Sequence, residues 1–291
     1  MSGPAELAIM AGVLADGGLK ATVVLGLAWA TTHLLRHRSA AERHAVWASA
    51  FLALPLPPLF AAQRGPQIAI DAPWLVGLWA VGFLLTILPM LRGLVGLRRL
   101  GAVAEPDPSV PGLRHSDRVQ GPLTWGLWAP IILLPTAARD WSPSHRAAAL
   151  AHERAHITRW DWAVHLAAWG VSALFWFHPL VWLARRELGQ EAEHAADDVV
   201  LAEGISPSDY ATLLVSLARS APPVGALGIG SSAVGTRVRA VLATRSRTPQ
   251  RWPAWTVAIL LSTIALPALG AWPTWTAPEE ALTCRPPELL P

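Results

Sequence analysis

Three long apolar stretches, about Gly18 to Leu35, Ala45 to Ala62 and Ala72 to Leu91, alternate with short polar connections in the first third of the chain. Each is long enough to cross a hydrocarbon core about 30 Å thick as a helix. A fourth, from about Pro253 to Ala271, is bracketed by Trp252 and Trp255 on one side and by Trp272 and Trp275 on the other, as in an interfacial aromatic belt. Ser142 and Pro143 form an N-cap and first-turn pair, and the alanine-rich run behind them predicts a helix from about 143 to 158. Two short strands are predicted near Gly112 to Gln120 and Pro130 to Leu134; the prolines that flank the second suit a sheet edge, and a plain packing strand fits it equally. The apolar run from Trp160 to Trp182 is broken by Asp161, His165, Gly170, His178 and Pro179. It predicts a helix from about 160 to 175 and a second beginning near 179, partly sunk in the bilayer and ending at Gly204. Further helices are expected from Ser206 to about Arg219 and around Arg237 and Arg239, both as scaffold, with these two arginines meeting lipid headgroups.

The 291 residues are 53% hydrophobic and 15% charged, a balance that excludes an ordinary soluble protein. Before the first apolar stretch there is neither a basic region nor a small-residue cleavage site, so it is expected to be retained. Arg36, Arg38 and Arg43 follow the first stretch and Arg92, Arg98 and Arg99 the third. The positive-inside rule then puts residues 92–251 in the cytoplasm, with both termini outside a bacterial-type cell membrane. Three units follow: a three-helix membrane region (1–99), a cytoplasm-facing domain with an embedded segment at 160–182 (100–251), and a fourth membrane helix with a short outer tail (252–291). The formal charge of +3 suits anionic lipid, and no dense basic run or DNA-binding motif points to direct nucleic-acid contact. Cys284, the single cysteine, falls in the outer tail, where it has no disulfide partner and is no ligand to a cytoplasmic site.

His152, Glu153 and His156 form an HExxH motif. On the helix predicted there, the two histidines lie one turn apart on one face and can reach one zinc ion, while Glu153 is placed to act on a water. A third ligand is needed, and Glu193, one turn before Asp197 on a later helix, supplies a carboxylate with a second carboxylate beside it to hold a ligand histidine. Glu191 and His194 are the competing third ligands. Two donors on one helix and a third beyond residue 185 also require the 160–182 run to turn back rather than cross. Tyr210, His165 and His178 are candidates for stabilising an oxyanion.

These features together resemble the BlaR/MecR group of membrane metallopeptidases. The matching segments are the three leading spans, Gly126 to Pro135, His152 to Asp161, Trp176-Phe177-His178-Pro179 and Glu193 to Asp197. The resemblance implies a mainly α membrane protein with about four transmembrane helices. Between the third and fourth it implies a gluzincin-like peptidase domain of helices plus a small β element. It makes His152, His156 and Glu193 the zinc ligands, Glu153 the general base and Asp197 the partner of a ligand histidine. It further implies cleavage of a winged-helix repressor, or of the protein itself, to induce gene expression. The best-known members carry an extracellular penicillin-binding domain after the fourth span. Here residues 273–291 follow, without a Ser-x-x-Lys motif, so the signal is expected through the spans, through the short loops or through a separate sensor protein, and membrane lipids and a protein substrate are the expected partners. Two other functions fit the same motifs: a quality-control or prenyl-protein-type membrane peptidase, and a non-catalytic zinc-binding transducer.

Overall fold

The computed structural model describes residues 4–55, 74–220 and 229–243. The protein is mainly helical. Helix α1 (Pro4–Leu34) is followed by α2 (Ala40–Ala53) and α3 (Trp74–Val103). A small sheet comes next, then α4 (Pro143–Thr158), α5 (Asp161–Leu174), α6 (Pro179–Ala202), α7 (Pro207–Ser220) and α8 (Ile229–Leu242).

Of the four apolar stretches, the third corresponds to α3, which among the described residues is the one helix long and apolar enough to cross a membrane. Its apolar side chains face outward, Leu85 with 70% of its surface free. The first stretch lies within α1. The second begins inside α2, whose 14 residues are too short to span alone, and its remainder, like the whole of the fourth, lies outside the described residues. Helix α2 starts with a capping box, the Glu42 amide donating to Ser39 Oγ and the Ser39 amide to Glu42 Oε2. It is buried rather than peripheral: Val46, Trp47, Ala50 and Phe51 pack with Leu25 of α1, Val171 of α5 and Val181, Ala184 and Leu188 of α6. Trp79 and Trp176 pin α3 to the α5–α6 connection, each indole donating to backbone of the other segment, Trp79 to Leu174 O at 2.9 Å and Trp176 to Trp79 O at 3.1 Å.

The sheet has strands β1 (Glu105–Pro106), β2 (Leu113–Ser116), β3 (Leu123–Trp125) and β4 (Ile131–Pro135) in the order β1-β2-β4-β3. Of the two placements open to it, the strand near Pro130 to Leu134 takes the interior, packing one: it pairs parallel to β2 and antiparallel to β3, and β1 and β3 form the edges. Its flanking prolines are accommodated because Pro130 precedes the strand and Pro135 is its last residue. Leu113, Ile132 and Leu134 pack one face of the sheet onto Ala148 and Ala151 of α4, Val200 of α6 and Leu213 of α7.

Helix α4 begins as anticipated, with Ser142 accepting from the His145 amide at 3.2 Å and Pro143 at its first position. The chain then reverses at Trp160, whose φ of 60° is left-handed, an uncommon conformation for a bulky side chain. Helix α5 is followed by the break at Phe175 to His178, and α6 returns to α4. The 160–182 run therefore turns back, as the third-ligand argument requires.

Candidate metal centre

His152 and His156 sit on the face of α4 that α6 covers, and Glu193 meets them from α6. Their ligating atoms lie within 4.8 Å of one another. The two Nε2 atoms are 3.2 Å apart, and Glu193 Oε2 and Oε1 lie 3.4 Å from His152 Nε2 and 3.6 Å from His156 Nε2. Donors at the ordinary ~2.0–2.1 Å from a tetrahedral zinc are about 3.3 Å apart, so the three residues fit that ion. The outer ring nitrogens fit it too. His156 Nδ1 donates to Asp161 Oδ2 at 2.6 Å, and His152 Nδ1 lies 3.0 Å from Tyr210 Oη and 3.3 Å from Asp197 Oδ1. With each Nδ1 turned to these oxygen partners, the Nε2 atoms of both rings face into the site, where a cation could be held between them.

Helix periodicity brings Glu193 to the two histidines and sends its competitors elsewhere. Glu191 accepts two hydrogen bonds from Arg43 of α2, at 2.7 and 2.8 Å. His194 is outside the cluster. Asp197, one turn after Glu193, lies 3.3 Å from His152 Nδ1 and also accepts from Tyr210 Oη at 2.6 Å.

Two participants went unassigned on sequence grounds. Asp161 anchors His156 and is itself held by Arg159, which also donates to Ala192 O of α6 at 2.8 Å. The sequence offers a weak signal for it, an acid five residues after His156, but only the reversal at Trp160 swings it back. Arg237 is the second. Instead of scaffold or lipid contact, it is forked between two acids: Nη1 is 2.7 Å from Glu193 Oε2, and Nη2 and Nε donate to Asp197 at 2.7 and 3.0 Å. The isolated arginine carried no motif that would have flagged it. Arg239 is exposed and donates to Gly235 O.

Charges in the site are strongly coupled. Burial disfavours a charged His152, yet its hydrogen bonds with Asp197 and Glu193 outweigh that and push the imidazole up to about 9. Burial also disfavours ionised Glu193 and Asp197, but the His152 and Arg237 contacts hold both carboxyls well below the usual range. Glu153, buried without such a partner, is pushed up by desolvation.

A cleft of about 470 Å³ runs across the cluster, lined by Glu153, by Pro122, Leu123 and Thr124 at the sheet edge, and by Trp162 and His165 of α5. Of the oxyanion candidates, His165 faces this cleft. Tyr210 lines it too but spends its proton on Asp197. His178 bonds Thr22 and the Gly18 carbonyl of α1, outside the cleft lining.

A sheet-edged helical domain whose HExxH helix meets a downstream glutamate is the architecture of a metallopeptidase. The sequence profile of the BlaR1 peptidase M56 family matches residues 61–241, and the chain belongs to that family. It is also similar to the regulatory protein BlaR1 of Bacillus licheniformis, 32% identical over 89 residues. That match covers 31% of this chain and 15% of the relative, so the chain is matched to only a small part of that protein's length.

Proposed function

We propose that the protein is an integral-membrane zinc metalloendopeptidase in signal transduction, which cleaves a transcriptional repressor or itself to induce gene expression. The observation that carries this is the convergence of His152, His156 and Glu193 at zinc-like spacing in a cleft that also holds Glu153. Membership of the BlaR1 peptidase family and the outward-facing apolar helix α3 support the membrane setting. The proposed arrangement is multi-pass, with residues 1–99 and 252–291 forming the membrane portions and 100–251 the cytoplasm-facing peptidase unit.

Zinc held by His152, His156 and Glu193 would polarise the scissile carbonyl and acidify a water. Glu153 takes the proton of that water and delivers it to the departing amine. Its buried, upward-shifted carboxyl makes it a stronger base than a solvated glutamate. Asp161 and Asp197 hold the two imidazoles in the Nδ1-protonated tautomer. The unpaired side of β3 borders the cleft, and an extended substrate segment is placed there by backbone pairing, with Leu123 and Thr124 alongside. His165 is the candidate donor to the oxyanion.

The test is cleavage by the full chain in lipid vesicles, with a winged-helix repressor added as substrate and fragments, including self-cleavage products, read by mass spectrometry. Wild type with zinc should give fragments, and chelated wild type and Glu153→Ala should not. Fragments that persist in Glu153→Ala would reject the assignment.

A further inference from the structure

Arg237 makes three kinds of contact from one buried guanidinium, whose side chain keeps 18% of its surface free. Nη1 holds Glu193 Oε2, Nη2 and Nε clasp the Asp197 carboxylate, and Nη2 lies 3.3 Å from Tyr210 Oη. Glu193 and Asp197 stand one turn apart on α6, so their like charges repel, and both are drawn into a site that must keep a cation. The Glu193 side chain retains 40% of its surface. A long, half-open glutamate has several accessible rotamers, and the one it adopts places Oε2 3.4 Å from His152 Nε2 and Oε1 3.6 Å from His156 Nε2. The planar fork of an arginine can fix two carboxylates in one geometry, where an ammonium, a rotatable point charge, holds them less firmly.

We propose that Arg237, carried on α8, is a positioning residue of the metal centre: it holds the Glu193 carboxylate in its ligating rotamer by bracing it against Asp197. The proposal rests on the zinc reading above. Its test is zinc affinity of the detergent-solubilised full chain, measured by competition with a chromogenic chelator. A second readout is the visible absorption of the cobalt-loaded protein, which reports ligand geometry rather than fold.

Arg237→Gln should weaken zinc about 10- to 100-fold, the range typical of lost support to a metal ligand, and alter the cobalt spectrum. Arg237→Lys, retaining the charge but not the planar fork, should recover part of the affinity. Arg239→Gln, on the same helix and facing solvent, should match wild type. Affinity within about twofold of wild type in Arg237→Gln would overturn the proposal. So would equal weakening in Arg239→Gln, or no recovery in Arg237→Lys, since either would assign the effect to the packing of α8. Absence of zinc from the wild type would instead remove the metal reading itself, and the proposal with it.

Discussion

Asp161 Oδ2 stands 2.6 Å from Nδ1 of His156, and Oδ1 of the same carboxylate lies 3.7 Å from Nε2 of His44 on α2. One buried acid thus fixes the tautomer of a proposed ligand and faces a helix of the N-terminal region. Asp161→Ala is expected to lower zinc affinity about 10- to 100-fold while the helices persist. Metal titration alongside circular dichroism checks this, and unaltered affinity would make Asp161 a mere packing group.

Glu193 and Glu191 are two residues apart and meet opposite fates. Glu193→Ala should strip the protein of tightly held zinc. Glu191→Ala should retain it and lower stability by about 1–2 kcal/mol through the half-buried Arg43 pair, whose side chains keep 17% and 14% of their surfaces. Zinc content and thermal unfolding of both variants decide the matter. Tight zinc in Glu193→Ala would mean that the third ligand is another residue.

Gly82 of α3 lies under the Trp176 indole, and a Cβ there would fall 2.0 Å from Trp176 Cε2. Gly82→Ala should therefore cost about 1–3 kcal/mol by prying α3 from the α5–α6 connection. Gly93→Ala on the same helix meets nothing within 4 Å and should be neutral or slightly stabilising. Melting temperatures in one detergent compare the two, and equal values would show that α3 is not seated on Trp176.

Asp107 is held below the usual carboxylate range by the Ser109 hydroxyl, His115 and the Ser109 amide, with Arg146 adding to them. A folded pKa below the unfolded value of about 3.9 stabilises the fold above that pH, and the contribution disappears as pH falls through the lowered folded value. Asp107→Asn should thus be less stable than wild type at neutral pH, with the gap closing below about pH 4. A gap independent of pH would show that charge is not what Asp107 contributes.

Much of the site was legible because its pattern is local. The i, i+4 spacing of His152 and His156, the Ser142-Pro143 helix start and the Glu193 to Asp197 spacing all lie within single helices, whose geometry is fixed by 3.6 residues per turn. The requirement that a later carboxylate reach the two histidines was enough to fold the 160–182 run back on itself. Position within the sheet was not legible. Prolines at 130 and 135 left an edge and an interior strand both open, and β2 and β3 flank that strand, since pairing partners are chosen by tertiary packing and not by the strand's own residues.

By itself, then, the sequence determined the apolar segments, the HExxH helix and the shared face of Glu193 and Asp197, because hydrophobic burial and helical periodicity act between near neighbours along the chain. Only the tertiary structure decided that β3 borders the cleft, that the left-handed Trp160 returns Asp161 to His156, and that Arg237 reaches Asp197 across 40 residues. Those contacts depend on how helices and strands pack in space, and a lone aspartate or arginine carries no periodic mark of the partner it will meet.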